Sequence, residues 1–381
     1  MSKRIVVVVI SDLVTDQRVH KVCRTLQENG HLITLIGSKK SKSLPLSART
    51  YTARRITMLF QKKIFFYAEF NLRTFFRLLF MRTDIILGND LDVMPACYLA
   101  SRIRGKPLVY DTHEYFLGMP ELAGRPFVKK VWQAIEAFIF PKVQHIYTIC
   151  DSFCELYRKD YQKELKAVRN VPYLQVEESG ALLPTAIQNK IPHDRKILLF
   201  QGAGINPERG VEELVLSMQY LDPGQFHLLI IGGGDIFDQI VTLVNDQALT
   251  DRITILPKQP FEILRAVTRQ AHLGLSLDKP TNINHLYGLP NKIFDYLHCG
   301  VPVLVSRLVE LEKIVNEYQV GDFIENHDPK HIADRIREML GDERQLEKWS
   351  ENTRKLRLEL NWEKESKIVT DIFKQVEEQM S

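Results

Sequence analysis

The feature that most constrains this chain is an alternation of apolar strand-like runs with helical stretches, played through once, interrupted, and started again. Arg4–Ile10 is rich in valine and reads as a strand buried on both faces. Residues 16–29 carry Val19, Val22, Cys23 and Leu26 at helical spacing and stop at Gly30, a helix-ending residue. Leu32–Ile36 is the next strand, and Thr83–Leu87, Pro107–Tyr110 and Gln144–Ile149 follow with helices between. The stretch 171–194, with Pro172, Glu177, Glu178, Gly180, Pro184 and Pro192, breaks the rhythm and reads as a connection. The alternation then resumes. Strands are predicted at Lys196–Phe200, His227–Ile231, Arg252–Leu256, His272–Leu277 and Pro302–Val305. Helices are predicted at 208–220, 235–246, 261–270 and 291–298, with a loop over 278–290. The pattern predicts an α/β protein of two doubly wound parallel domains, residues 1–171 and 195–360. A linker over 172–194 joins them, and a C-terminal helix, 361–381, is expected to return to the first domain. Such domains in tandem put the carboxyl ends of two sheets across one cleft, and ligands of these sheets bind at those ends.

A length of 381 residues suits two cores better than one. No apolar run reaches membrane-spanning length, and the N-terminal run is too short for a signal peptide. The five cysteines, Cys23, Cys97, Cys150, Cys154 and Cys299, lack zinc spacing and read as reduced thiols, so the expected compartment is the cytoplasm. Charge is unevenly distributed. Residues 1–190 carry 29 Lys+Arg against 17 Asp+Glu, and residues 191–381 carry 22 against 30, a balance of +12 and −8. Residues 39–82 alone hold eleven basic side chains and one acid, Glu69. Phe60, Phe65, Phe66, Tyr67, Phe70, Phe75, Phe76 and Phe80 are interleaved with the basic residues of that region. It reads either as an amphipathic helix lying on an anionic membrane or as a helix packing its aromatics into a core. No nucleic-acid module accompanies it, so no nucleic-acid partner is expected.

Two glycine-rich turns follow predicted strands. Gly202-Ala203-Gly204-Ile205-Asn206-Pro207 resembles a dinucleotide fingerprint, but Pro207 replaces the third glycine and the acid expected after the next strand is missing, which argues against NAD. A strand–glycine–helix unit remains a place for a phosphate. Pro207 suits the first helical position, which would put Arg209 in the first turn, paired either with a bound diphosphate or with Glu212 or Glu213. Gly232-Gly233-Gly234 permits close approach of a ligand or simply makes a tight turn. In Gly288-Leu289-Pro290-Asn291-Lys292-Ile293-Phe294-Asp295, Lys292 lies at a helix start, again a diphosphate position, and Asp295 follows one turn on. A surface pair between Lys292 and Asp295 is the alternative. Asp90-Leu91-Asp92 has the spacing of a metal-binding carboxylate pair, but it reads instead as a helix cap or an acceptor contact.

The stretch from Gly288 through Val303 resembles the donor-binding helix of retaining GT-B glycosyltransferases of family 4. Three more segments are similar to that family: Asp16-Gln17-Arg18-Val19, Val109-Tyr110-Asp111-Thr112-His113-Glu114, and Phe200-Gln201-Gly202 through Arg209-Gly210. The resemblance implies a GT-B architecture of two Rossmann-like domains facing across a cleft, with no cofactor and no metal. It implies that Arg209 and Lys292 neutralise the diphosphate of a UDP- or GDP-sugar and that Asp295 holds the ribose. Gly202, Gly204, Gly233 and Asn291 would line the donor, and the backbone of Tyr287, Gly288 and Leu289 would line its sugar. His113 would face the sugar, and Asp90, Asp92 and Glu114 would lie on the acceptor side. Tyr287 stands where the family commonly has a glutamate, and Ala203 where it has an arginine. The implied reaction is glycosyl transfer with retention to a glycan or lipid-linked acceptor, with an anionic membrane met through residues 39–82. A UDP-sugar epimerase and a silent sugar-nucleotide-binding scaffold are the alternatives.

Overall fold

The computed structural model describes residues 2–174 and 183–380, so part of the predicted linker, 175–182, lies outside the described residues. The chain divides into two compact units. Unit 1 comprises Met1–Asn170 with Glu363–Ser381, and unit 2 comprises Val171–Trp362.

Unit 1 runs β1 (Arg4–Val8), α1 (Gln17–Glu28), β2 (Leu32–Lys39), β3 (Thr52–Thr57), α2 (Lys63–Phe80), β4 (Ile85–Asn89) and α3 (Met94–Arg104). It continues with β5 (Leu108–Thr112), α4 (Pro126–Ile139), β6 (His145–Thr148), α5 (Asp151–Tyr161) and β7 (Lys166–Ala167). Its sheet is parallel in the order β3-β2-β1-β4-β5-β6-β7. The order reverses between β1 and β4, so the switch point lies where β1 and β4 end. β1, β4 and β5 are almost wholly buried, which is why their sequence is a continuous apolar run rather than an alternating one. Asp16 starts α1 by accepting from the Val19 amide at 3.2 Å.

Unit 2 begins with a single helical turn, α6 (Thr185–Gln188). It then runs β8 (Lys196–Gly202), α7 (Val211–Ser217), β9 (Phe226–Gly232), α8 (Phe237–Asp246), β10 (Ile253–Pro257), α9 (Phe261–Thr268) and β11 (Leu273–Ser276). Then follow α10 (Ile283–Tyr287), α11 (Asn291–His298), β12 (Val303–Ser306), α12 (Val309–Tyr318), β13 (Gly321–Ile324), α13 (Pro329–Gly341) and α14 (Glu343–Glu359). All pairs in β10-β9-β8-β11-β12-β13 are parallel, with the switch point between β8 and β11. The core packs Phe200, Leu228, Ile230 and Leu275 from the sheet against Leu214, Ile336 and Trp349 from helices.

The last helix, α15 (Trp362–Glu378), belongs to unit 1 from Glu363 on. There Val369, Ile372, Phe373 and Val376 are buried, Thr370 accepts from Asn29 at 3.3 Å, and Glu365 accepts from the Arg169 amide at 2.8 Å. No described helix is long and apolar enough to cross a membrane.

Three expectations need correction. Pro207 does not open a helix: α7 starts only at Val211, after Glu208 and Gly210 have taken positive φ, so Arg209 lies in the loop ahead of it. The stretch read as a loop over 278–290 contains α10, started by the Asn282 side chain accepting from the His285 amide. Asp90 and Asp92 do not cap α3, whose Val93 start has no side-chain cap, and the Asn71 side chain instead accepts from the Ala96 amide.

Candidate active site

In unit 2 the candidate residues gather where β8 and β11 end. Gly210 has φ +70, and a Cβ there would lie 2.2 Å from the Leu277 carbonyl oxygen, so only glycine lets this loop lie against the end of β11. The Lys279 amide donates to the Glu208 carbonyl at 2.8 Å and laces the same two loops together. Arg209 is thereby brought to Asp278: Nη1 donates to Oδ2 at 2.7 Å, while Lys292 Nζ donates to the other carboxylate oxygen at 3.2 Å. Asp278 is buried, and Arg209 and Lys292 are half-buried and largely covered. Burial works to raise the Asp278 pKa, but the Lys292 and Arg209 charges hold it below the usual carboxylate range. Burial pushes the Lys292 ammonium down, against the pull of Asp278. Lys292 Nζ also lies 4.3 Å from the centre of the Phe200 ring.

The cluster holds two cations and one carboxylate, an excess of one positive charge. Arg209 Nε is buried and has no partner among the described residues. α11 starts at Pro290–Asn291 with no side-chain cap, so its first amides and Lys292 face the same requirement for an anion. The alternatives read from sequence are not what forms: Glu213 pairs with Lys279 at 2.7 Å, and Asp295 accepts from Gln201 Nε2 at 3.3 Å.

That second contact fixes Asp295. Thr268 donates to Gln201 Oε1 at 2.8 Å, which turns the amide nitrogen toward Asp295. The Tyr296 hydroxyl accepts from the Gln201 amide at 3.0 Å and donates to the Leu275 carbonyl at 3.2 Å. Its ring covers Gly274, where a Cβ would lie 2.4 Å from it. Tyr296 thus pins α11 across β8 and β11 at the switch point. Leu289 is buried just before α11, Gly288 closes α10 by donating to the Asn284 carbonyl at 2.9 Å, and Tyr287 is partly buried beside it.

The glycine turns pack on each other. A Cβ on Gly232 would lie 1.9 Å from the Gly202 carbonyl oxygen, and one on Gly234 would lie 2.4 Å from the Ile205 nitrogen. Turn-to-turn packing therefore requires glycine at 232 and 234, whereas a Cβ at Gly202 would meet nothing closer than 3.9 Å. Gly204 and Gly233 keep part of their surface open.

In unit 1 the candidates gather at the ends of β4 and β5. His113 donates its backbone N–H to Asp90 Oδ1 at 2.8 Å, and its ring nitrogens lie 3.3 Å from Asp90 Oδ2 and 3.3 Å from Asp111 Oδ2. Asp111 is fully buried and is gripped by Arg18 through Nε at 3.0 Å and Nη2 at 2.7 Å. Burial opposes the His113 charge, but Asp90 and Asp111 outweigh it and raise the imidazole to about 9. Asp111, with burial overcome by Arg18 and His113, drops to about 2. His113 is therefore an imidazolium at neutral pH, a hydrogen-bond donor rather than a base. Asp90 takes φ 64, a conformation L residues seldom adopt. Asp92 is buried with Oδ1 unpartnered among the described residues, and burial lifts its carboxyl well up. Glu114 is exposed, its carbonyl accepting from Thr112 and Tyr157.

Sequence reasoning missed Asp278, Gln201 and the Arg18–Asp111 pair. Asp278 had one legible signal: a lone acid directly after a predicted strand, in the same domain as the two candidate cations Arg209 and Lys292.

Comparison with known proteins decides the family. Residues 16–171 match the model of Glycosyltransferase Family 4, and residues 185–356 match the model of Glycosyl transferases group 1. The chain belongs to glycosyltransferase family 4. It is similar to the D-inositol 3-phosphate glycosyltransferase of Mycolicibacterium smegmatis, 30% identical over 155 residues, which are 39% of this chain and 34% of that protein. The alignments span less than half the length of the curated relatives, 44%, 47% and 34%. The sucrose-phosphate synthase of Thermosynechococcus elongatus superposes with a TM-score of 0.79 at 17% identity, over 98% of this chain and 99% of that one. Anabaena HepE, solved in complex with UDP and glucose, superposes with a TM-score of 0.75 at 12% identity, over 98% of this chain and 100% of that one. The fold is therefore GT-B, built of two Rossmann-like units.

Proposed function

We propose that this family 4 glycosyltransferase moves a hexosyl group from a UDP- or GDP-sugar, with retention, to a lipid-linked acceptor. The Arg209–Asp278–Lys292 cluster carries this reading, because it offers a net positive charge and an unpartnered buried N–H at a switch point. Unit 2 supplies the electrostatics: Arg209, Lys292 and the first turn of α11 stabilise the charge that grows on the diphosphate as its bond to the sugar breaks. Asp295, oriented through Gln201 and Thr268, receives the ribose hydroxyls. From unit 1, His113 faces the sugar, and one of its two ring N–H groups leaves its 3.3 Å carboxylate contact to donate to a sugar hydroxyl. The departing phosphate oxygen takes the acceptor proton as the new glycosidic bond forms. Since two side-chain cations perform the neutralisation, transfer is expected to survive EDTA.

The lipid-linked acceptor is supported by the outer surface of α2, whose Phe65, Phe76 and Phe80 are exposed beside Arg77 and Arg82. That surface would bring the enzyme to the inner, anionic face of a membrane. The HepE complex supports UDP as the carrier, by analogy of fold.

A panel of UDP-, GDP- and ADP-sugars tests the donor by the rise in melting temperature it causes. Transfer to polyprenyl-linked glycans, followed by NMR of the product anomer, tests acceptor class and retention. Arg209→Ala and Lys292→Ala are each expected to lower kcat/KM by roughly 2–4 kcal/mol in transition-state terms. Unchanged kcat/KM in both would remove the diphosphate assignment, and donor binding without transfer to any acceptor would leave a binding protein.

A further inference from the structure

Unit 2 carries a second donor-rich recess at the other end of its sheet. A groove of about 200 Å³ is lined by residues including Gln188, Ile191, His193, Arg195, Gln270 and His272. These flank the starts of β8 and β11, whereas Asp278 and Gly202 lie at or beyond their ends. The length of β8 separates the two places by roughly 20 Å.

Protons in this groove are assigned by its hydrogen bonds. The Ile197 amide donates to His272 Nδ1 at 3.0 Å, so the neutral ring carries its proton on Nε2. Gln270 Nε2 donates to Gln188 Oε1 at 3.1 Å, which leaves Gln188 Nε2 to meet His193 Nε2 at 3.3 Å. An amide nitrogen only donates, so His193 carries its proton on Nδ1. Arg195 donates through Nη1 to the Asp251 carbonyl at 3.1 Å, forms no ion pair among the described residues, and keeps its buried Nε without a partner. Burial, and after it the Arg195 charge, pushes the neighbouring His227 down to about 4. Burial, and after it Lys196, lowers His272. The Asp251 and Asp194 carboxylates act on His227 in the opposite sense, and burial together with the Arg195 charge outweighs them.

One guanidinium and two imidazole N–H groups, without a carboxylate paired to them, describe a site for an anion. We propose that this groove binds a phosphate group, as free phosphate or as a small phosphomonoester, separately from the sugar-nucleotide site. Its volume falls below the roughly 300 Å³ at which pockets for larger ligands begin, so a whole nucleotide is too big for it. A phosphate oxygen takes the Arg195 Nε proton in a hydrogen bond, and His272 Nε2–H and His193 Nδ1–H serve the others. The inference rests on unit 2's own geometry and stands apart from the transfer reading.

The test uses the full chain with saturating UDP, so that the Arg209–Lys292 cluster is already occupied. Inorganic phosphate is titrated at constant ionic strength against chloride while the histidine ring resonances are followed by NMR. Saturable shifts of His193 and His272 are expected, weakened at least tenfold by Arg195→Gln and unchanged by Lys292→Ala. Should Arg195→Gln fail to fold, Arg195→Lys keeps the charge, lacks Nε, and is expected to weaken binding several-fold. A parallel titration with glycerol 3-phosphate assigns the source: tighter binding than phosphate marks a phosphomonoester site, and equal binding marks free phosphate. The absence of a saturable shift, a shift indifferent to both Arg195 variants, or one abolished by Lys292→Ala would overturn the proposal.

Discussion

Asp278 shows what a sequence conceals at the scale of single residues. From sequence, Arg209 and Lys292 are proposed as anion-binding cations because helix starts and glycine turns favour that role, but Arg209 does not stand at a helix start at all. Its placement comes from Gly210 and the loop pairing at Glu208–Lys279, contacts that no periodicity encodes. Replacing Asp278 with Asn leaves a covered ammonium and guanidinium without their counter-charge, a loss of roughly 3 kcal/mol for unit 2. An incoming diphosphate restores that charge balance, so UDP is expected to raise the melting temperature of D278N more than that of the wild type. A smaller rise would mean that the carboxylate matters chiefly by positioning the two cations. His113 gives a second test, in pH. Its pKa is raised from an ordinary 6.5 to about 9, so the folded state binds a proton that the unfolded state gives up above pH 6.5. The stabilisation is complete below pH 6.5 and disappears as pH rises through 9, on the order of 3 kcal/mol in all. Urea unfolding of the wild type against H113N should diverge below pH 6.5 and converge above pH 9. A stability difference that does not vary with pH would show that the imidazole titrates alike in the folded and unfolded chain, with no raised pKa.

At the scale of elements, buried central strands were read well because they are unbroken apolar runs: β1, β4, β5, β8 and β9 all fall within about two residues of their predicted bounds. The edge strands β3 and β13 were missed. β3 is Thr-Ala-Arg-Arg-Ile-Thr with only Ile56 buried, and its sequence offered charge where a strand signal was sought. β13 is only Gly-Asp-Phe-Ile, paired to β12 with Gly321 beneath the Val303 carbonyl, where a Cβ would lie 1.9 Å away. The aromatic stretch was read as either core or surface, and α2 divides it: Phe66, Phe70 and Leu78 are buried, while Phe65, Leu72 and Phe80 are exposed. α15 is the element with the largest predicted consequence. It buries Val369, Ile372, Phe373 and Val376 in unit 1, each worth roughly 1.5–3 kcal/mol. The sum rivals the whole stability of a typical domain, about 5–15 kcal/mol. A chain ending at Trp362 is expected to lose unit 1 to limited proteolysis while unit 2 still gives a UDP-dependent rise in melting temperature. If unit 1 survives with its native protection, α15 is dispensable packing.

At the scale of the whole molecule, the charge asymmetry of +12 and −8 between the two halves is the largest feature that the candidate sites do not use. The two anion sites proposed in unit 2 would use few of the cations, and most of the excess sits in unit 1. The exposed apolar side chains there continue beyond α2. Leu99 and Ile103 on α3, and Phe127, Val131 and Phe138 on α4, are exposed, and α2–α3 and α3–α4 pack as neighbours. Lys129 and Lys130 lie between the apolar positions of α4, and Lys142 Nζ lies 3.1 Å from the centre of the Phe138 ring. A cation and an aromatic ring paired at the surface suit an interface where headgroups meet acyl chains. Each basic side chain close to anionic lipid contributes about 1 kcal/mol, so five or six acting together are enough for reversible docking. The chain is therefore expected to co-sediment with vesicles containing phosphatidylserine, less with phosphatidylcholine alone, and to be released by salt as screening shortens the reach of its charges. Replacing Lys62, Arg77, Arg82, Lys129 and Lys130 with Gln should remove the dependence on anionic lipid, and replacing Phe65, Phe76 and Phe80 with Ser should weaken binding at all salt concentrations. Both variants should keep the UDP-induced rise in melting temperature, because none of these residues belongs to unit 2. Equal sedimentation with neutral and anionic vesicles, or with neither, would sever the charge asymmetry from the membrane and leave α2, α3 and α4 as the surface of an ordinary domain.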